Sequence, residues 1–111
     1  MFGLTPVSRV LVALEPVDMR MGFNGLYGRV QNVLKEEPTC GALFLFTNRR
    51  RNRLKILFFD GSGLWILAKR LERGTFGWPA GHGSSCPLRP EELNLLVHGL
   101  EGRSRAHWHR R

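Results

Sequence analysis

The residues with the clearest chemical character are the arginines of segment 48–53, which is Asn-Arg-Arg-Arg-Asn-Arg and is followed by Lys55. Asparagine tolerates the left-handed backbone of tight turns, so the segment predicts a turn between two strands. Crowded guanidinium groups repel one another, and each can donate two parallel hydrogen bonds to a phosphate. We therefore expect nucleic-acid contact without sequence specificity. The candidate residues are Arg49, Arg50, Arg51, Arg53 and Lys55. The alternative is a solvated turn whose charges prevent edge pairing of the sheet.

A second basic cluster consists of Lys69, Arg70 and Arg73 around the acid Glu72. Neighbouring side chains of a strand alternate, so Lys69 and Arg70 are predicted to lie on opposite faces of the sheet. Glu72 is predicted to pair with Arg70 or Arg73, and an exposed pair adds only about 0–1 kcal/mol to stability. Since stability does not explain the cluster, its three bases join the candidate nucleic-acid-binding residues.

Three carboxylates, those of Asp18, Asp60 and Glu72, could in principle form the metal site of a phosphoryl-transfer enzyme. Each has a simpler explanation. Asp18 can cap the helix that follows, Asp60 begins a turn at Gly61, and Glu72 lies among bases. We therefore expect no catalytic residues and no enzyme activity.

Metal and cofactor binding receive little support from the sequence. Spacing typical of a metal site is absent among the histidines, and Cys86, four residues after His82, provides half a site at best. Both cysteines are predicted to be reduced, buried thiols. No glycine-rich phosphate loop or serine nucleophile motif occurs, so we expect no cofactor and no metal. The histidines are His82, His98, His107 and His109.

The charge of the chain is basic and unevenly distributed. Lysine and arginine number 17 against 9 acids, which gives a net charge of +8 and a pI near 11.0. Residues 46–75 carry eight basic and two acidic residues. This balance favours a polyanionic partner, although a basic protein without one remains the alternative. No apolar run is long enough for a membrane span and residues 1–9 lack a signal-peptide pattern, so we expect a cytoplasmic protein.

Short apolar runs separated by turn residues predict the strands. The predicted strands are 10–14, 43–47, 54–59 and 64–71. The last three are joined by the arginine segment and a turn at 60–63, so they form an antiparallel meander. A short extended piece with Phe76 and Trp78 on one side follows, and the Gly/Ser-rich residues 80–85 are predicted to be a loop.

Two helices are predicted to flank the meander. The first follows Asp18, and its three glycines, Gly22, Gly25 and Gly28, indicate either close approach of another backbone or a helix that starts late. Its apolar face comprises Phe23, Leu26, Val30, Val33 and Leu34. The second begins at Pro90 and ends at Gly102, with Leu93, Leu96, Val97 and Leu100 as its apolar face. Residues 1–102 are thus one α+β domain, and residues 103–111 form a basic, mobile tail.

The combined motifs resemble a known family. Residues 17–26, Val-Asp-Met-Arg-Met-Gly-Phe-Asn-Gly-Leu, are similar to the opening of TnpB-type accessory proteins, which the second open reading frame of insertion-sequence 66 elements encodes. The similarity continues through residues 41–46, 48–51, 54–57, 60–65, 69–74, 76, 78–79 and 91–93. The resemblance implies a non-catalytic role in DNA transposition beside a separate transposase. It supplies no catalytic residues to transfer to this chain.

The sequence is compatible with two functions. The protein is either an accessory factor that contacts DNA through the basic hairpin and assists the transposase, or an adaptor that binds the transposase without touching DNA. The first predicts binding that weakens steeply with salt, and the second predicts little salt dependence and an exposed apolar patch. The expected partners are DNA and the element-encoded transposase, with no membrane, and self-association is left open.

Overall fold

The computed structural model describes residues 9–100, which build a five-stranded mixed sheet with one helix packed on each face. The strand order across the sheet is β4-β3-β2-β1-β5. The elements in chain order are β1 (Val10–Ala13), α1 (Phe23–Asn32), β2 (Leu43–Thr47), β3 (Arg53–Phe59), β4 (Leu64–Arg70), β5 (Ser85–Leu88) and α2 (Pro90–His98). The predicted α+β class, with one helix towards each end of the chain, is confirmed.

The meander β2-β3-β4 is antiparallel, as the sequence predicts. By contrast, β1 lies parallel to β2, because α1 carries the chain back across the sheet before β2 begins. Every residue of β1 and β2 is buried, which fits strands covered on both faces. The edge strand β5 pairs antiparallel with β1 and was not predicted.

The sheet separates two apolar cores, because alternate side chains of each strand point to opposite faces. On the α1 side, Leu26 and Val30 pack against Phe44 and Leu57. On the α2 side, Leu96 belongs to a second core. That core also contains Val12, Leu45, Phe58, Phe76 and Trp78. The indole of Trp78 donates a hydrogen bond to the carbonyl oxygen of Ala13 at 2.8 Å, which fixes segment 76–78 beneath β1.

The start of α1 differs from the prediction. Asp18 does not cap the helix, because α1 begins at Phe23 with Gly22 at its N-cap and without a side-chain cap. Phe23 was predicted to be buried but is 49% exposed. A Cβ at Gly25 would meet only the side chain of Met21, at 3.1 Å or more. The late helix start therefore accounts for Gly22, whereas Gly25 and Gly28 lie inside α1, where no other backbone approaches them closely.

The C-terminal part also differs in detail. The α2 helix ends at His98, where Gly99 turns the chain with φ 81°, rather than at Gly102. Leu100 consequently leaves the helical face and bridges Thr75. Cys40 is exposed and Cys86 is only half-buried, so the predicted burial of the two thiols is wrong. The predicted tail 103–111 lies outside the described residues. No helix within residues 9–100 is long and apolar enough to cross a membrane.

Candidate nucleic-acid interface

Six arginines meet at one end of the sheet. Because the meander is antiparallel, the end of β2, the beginning of β3 and the end of β4 lie side by side. The segment after β4 stays there, since the Leu71 and Phe76 amides donate to the carbonyl oxygens of Asn52 and Arg51, at 2.9 and 2.8 Å. We call this surface the arginine end. It comprises Arg49, Arg50, Arg51, Arg53, Arg70 and Arg73.

The turn at the arginine end is held by asparagines and not by arginines. Asn48 Oδ1 accepts hydrogen bonds from the backbone amides of Asn52 and Arg53, both at 3.1 Å. Asn48 Nδ2 donates to Asn52 Oδ1 at 2.8 Å. Arg51 adopts a left-handed backbone with φ 60°, and its amide donates to the Asn48 carbonyl. The turn therefore has a defined shape without using any guanidinium group.

The guanidinium groups of this surface are largely available. Arg49, Arg50, Arg53 and Arg73 are exposed and Arg51 is half-buried. Within residues 9–100, none of these five side chains makes a hydrogen bond or ion pair. Arg70 pairs with Glu72 at 3.2 Å between exposed side chains, so one of the two predicted pairings of Glu72 is present.

The two candidate lysines are engaged by the fold. Lys55 Nζ donates to the carbonyl oxygen of Met21 at 2.9 Å, just before α1. Lys69 Nζ donates to the carbonyl oxygen of Val97 at 2.9 Å, in the last turn of α2. A cation is favourable there because the helix dipole is negative at its C-terminus. Lys69 thus lies on the α2 side of the sheet, away from the face that carries Lys55.

Arg53 and Arg70 face each other across β3 and β4. They are direct partners in the strand register, so both side chains lie on the same face, which is the α1 side because Leu57 belongs to the α1-side core. Two positive charges directly opposite each other destabilise a sheet. A cleft of about 220 Å³ opens at this pair and is lined in part by Met19, Lys55 and Ala68. The sequence did not predict the cleft, because its two arginines meet only through the register.

Arg20 was missed by the sequence analysis. Its guanidinium donates to both carboxylate oxygens of Asp18, at 2.7 to 3.2 Å, and its backbone amide donates to Asp18 Oδ1 at 2.8 Å. These hydrogen bonds lower the pKa of Asp18 to about 2, and the charge of Lys55 contributes a smaller effect. Asp18 is therefore an anion that Arg20 neutralises, close to Lys55. The spacing Asp-x-Arg was the sequence signal that could have predicted this ion pair.

Asp18, Asp60 and Glu72, the three carboxylates of the possible metal site, have separate roles. Asp60 lies at the β3–β4 turn, at the opposite end of β3 from the arginine end. It accepts hydrogen bonds from the amides of Ser62 and Gly63 and from Trp65 Nε1, the last at 2.7 Å. These bonds, that of Trp65 foremost, hold the pKa of Asp60 well below its usual value. Within residues 9–100 no three His, Cys, Asp or Glu residues could together hold a metal ion.

The fold and the arginine end define a small basic α+β protein. The model of the family described as "IS66 Orf2 like protein" matches residues 8–107, nearly the whole chain. The protein belongs to this family, as its motifs indicate, and is thereby associated with insertion-sequence transposition and with a transposase as partner. The family is one of accessory proteins and is not a known catalytic family.

Two relatives from Sinorhizobium fredii are similar along most of their length. "Uncharacterized protein y4jC" is 41% identical over 101 residues, which cover 91% of this chain and 86% of the relative. "Uncharacterized protein y4hO" is 42% identical over 95 residues, which cover 86% of this chain and 83% of the relative. No solved structure matches the chain. The relatives therefore support the family and add no activity.

Proposed function

We propose that the protein is a non-catalytic accessory factor of transposition that binds DNA phosphates with its arginine end and so helps the transposase engage the element. The observation that carries this proposal is the convergence of six arginines, of which only Arg70 has an acidic partner within residues 9–100. A phosphate backbone relieves their mutual repulsion and accepts bidentate hydrogen bonds from each guanidinium. Because such contacts go to phosphates, the affinity depends little on base sequence.

Salt dependence tests the proposal quantitatively. If the five arginines without a partner each neutralise one phosphate, a plot of log K against log salt has a slope of about −4.5 on duplex DNA. Replacing Arg49, Arg50 and Arg51 with Ala should make the slope shallower by nearly 3 units and weaken all DNA sequences alike. Folding should be little affected, because the asparagines hold the turn.

A control for net charge removes three positive charges from the opposite end of the sheet, where Arg9 and Arg89 pair with acids. Arg9 precedes β1, Lys35 follows α1 and Arg89 follows β5, so all three lie away from the arginine end. Their combined replacement with Ala changes the net charge equally and should leave the slope within about one unit of the parent value. If both triple variants weaken binding equally, net charge and not the arginine end drives association, and the proposal is wrong.

The second candidate function is an adaptor that binds the transposase without DNA. Leu95 favours it, because this α2 side chain is 68% exposed beside a groove of about 390 Å³. The groove is lined by Leu95 itself and by Gly77, Pro79, Leu88, Glu92, Leu96 and Leu100. Leu95→Ser should abolish a transposase complex if the groove is the contact, whereas the arginine triple variant should abolish it if the arginine end is. Loss of the complex in Leu95→Ser with unchanged DNA affinity favours the adaptor.

A further inference from the structure

The cross-strand pair Arg53–Arg70 is an arrangement that the fold does not need. Directly opposed residues have Cβ atoms only about 4.5–5.5 Å apart, so the two side chains start as neighbours on one face, and both line the same cleft. Arg53 has no side-chain partner within residues 9–100, and Glu72 holds Arg70 through an exposed pair of little strength. A net positive charge therefore remains between the two strands.

The surroundings of the pair give it a concave shape. Two register positions further in, and therefore on the same face, Lys55 lies opposite Ala68, whose small side chain leaves space beside the lysine. Lys55 is held against the Met21 carbonyl, and Met19 lines the cleft from the loop before α1. The nearby acid Asp18 is neutralised by Arg20. The cleft is thus lined by two arginines and by a lysine that the fold holds in place, whereas Arg49 and Arg50 do not line it.

From this geometry we propose that the cleft is a discrete phosphate site in which Arg53 and Arg70 bind one phosphate group together, with Lys55 adding positive charge from the inner wall. The ligand chemistry is a phosphate oxyanion, since two planar forks supply paired donors that match its oxygens. The inference rests on the proposed function, because a DNA backbone is the source of phosphate that it assumes. It goes further by assigning one phosphate to one cleft.

The test is a titration of the full chain with inorganic phosphate, monitored by NMR. Chloride is the reference anion and keeps the ionic strength constant. The Nε–H signals of Arg53 and Arg70 should shift with a single saturating curve. Arg53→Gln and Arg70→Gln should each weaken phosphate binding about tenfold, as loss of a charged hydrogen bond does. Arg49→Gln is the matched control and should change the affinity less than about twofold, the range of an exposed charge.

Glu72→Gln gives a readout that a purely structural role would not produce. Removing the carboxylate frees Arg70, so phosphate affinity should rise while the fold is unchanged. A fall or no change in affinity for this variant contradicts the proposal. Equal losses in Arg49→Gln and Arg53→Gln also contradict it, because they indicate a diffuse positive field without a cleft.

Duplex DNA with 5′-hydroxyl or 5′-phosphate ends identifies the source of the phosphate. If the cleft takes a backbone phosphodiester, the two duplexes bind equally and inorganic phosphate competes with both. If it takes a terminal phosphomonoester, only the phosphorylated duplex binds tightly at the cleft. Phosphate binding without DNA binding refutes the proposed function but supports the cleft, and DNA binding that is indifferent to Arg53→Gln refutes the cleft alone.

Discussion

The amide of Asn48 organises the turn of the arginine end, and its removal should therefore affect both stability and DNA affinity. Asn48→Ala deletes three hydrogen bonds, two accepted from backbone amides and one donated to Asn52. A hydrogen bond contributes about 0.5–1.5 kcal/mol net, and the turn is only partly buried, so the expected loss of unfolding free energy is about 2–3 kcal/mol. That is a large share of the roughly 5–15 kcal/mol of a small domain.

Asn52→Ala is the graded control, because it removes only the bond between the two side chains and should cost about 1 kcal/mol. Urea denaturation followed by Trp fluorescence measures both variants. The DNA affinity of Asn48→Ala should fall at low salt although every arginine is retained, because a loosened turn must be ordered again on binding. Equal destabilisation by the two substitutions, or unchanged DNA affinity in a folded Asn48→Ala protein, would refute this account of the turn.

Three further predictions concern the remaining scaffold. Leu26→Ala, at a fully buried position of α1, should cost about 2–5 kcal/mol in urea denaturation, whereas Phe23→Ala on the exposed side of the same helix should cost far less. Lys35→Gly should raise the unfolding free energy by about 0.5–1 kcal/mol, because Lys35 has φ 58° and glycine adopts that backbone without strain, and Lys35→Ala should give no such gain. Asp60 has a lowered pKa in the folded protein, so its stabilising effect is fully present above the unfolded pKa of about 4 and is lost as pH falls through the folded value. The difference in melting temperature between the parent and Asp60→Asn should therefore be constant near neutrality and shrink below about pH 4; a difference that grows on acidification would contradict the role of Asp60 as a charged acceptor.

The meander was predictable because its signals are local. Apolar runs at 43–47 and 54–59 carry no helical periodicity, and Asn48 and Asn52 mark the turn between them. The same locality placed Asp60 in the next turn, where it binds the amides of the two residues before β4. Each inference depended on residues within one hairpin.

The remaining features depend on partners distant in sequence, or on two local structures that compete for the same side chain. The parallel pairing of β1 with β2 follows from the path of α1. No motif within β1 predicts that path. The β5 sequence, Ser-Cys-Pro-Leu, is short and contains Pro87, which a strand tolerates only at an edge. Asp18 was assigned as a helix cap because capping and a short Asp-x-Arg turn use the same carboxylate. The opposition of Arg53 and Arg70 required the register of β3 and β4.

The position of β1 between β2 and β5 has a consequence for the order of folding. Its register joins Val10 to Leu43 on one side and to Leu88 on the other, so both pairings close long stretches of chain. The hairpin β2-β3 closes only a short stretch of chain. It should form first, because local contacts cost less chain entropy. In pulsed hydrogen exchange, amides of β2 and β3 should gain protection before those of β1. The basic turn would then be shaped early in folding, while β5 can add only after β1 is in place.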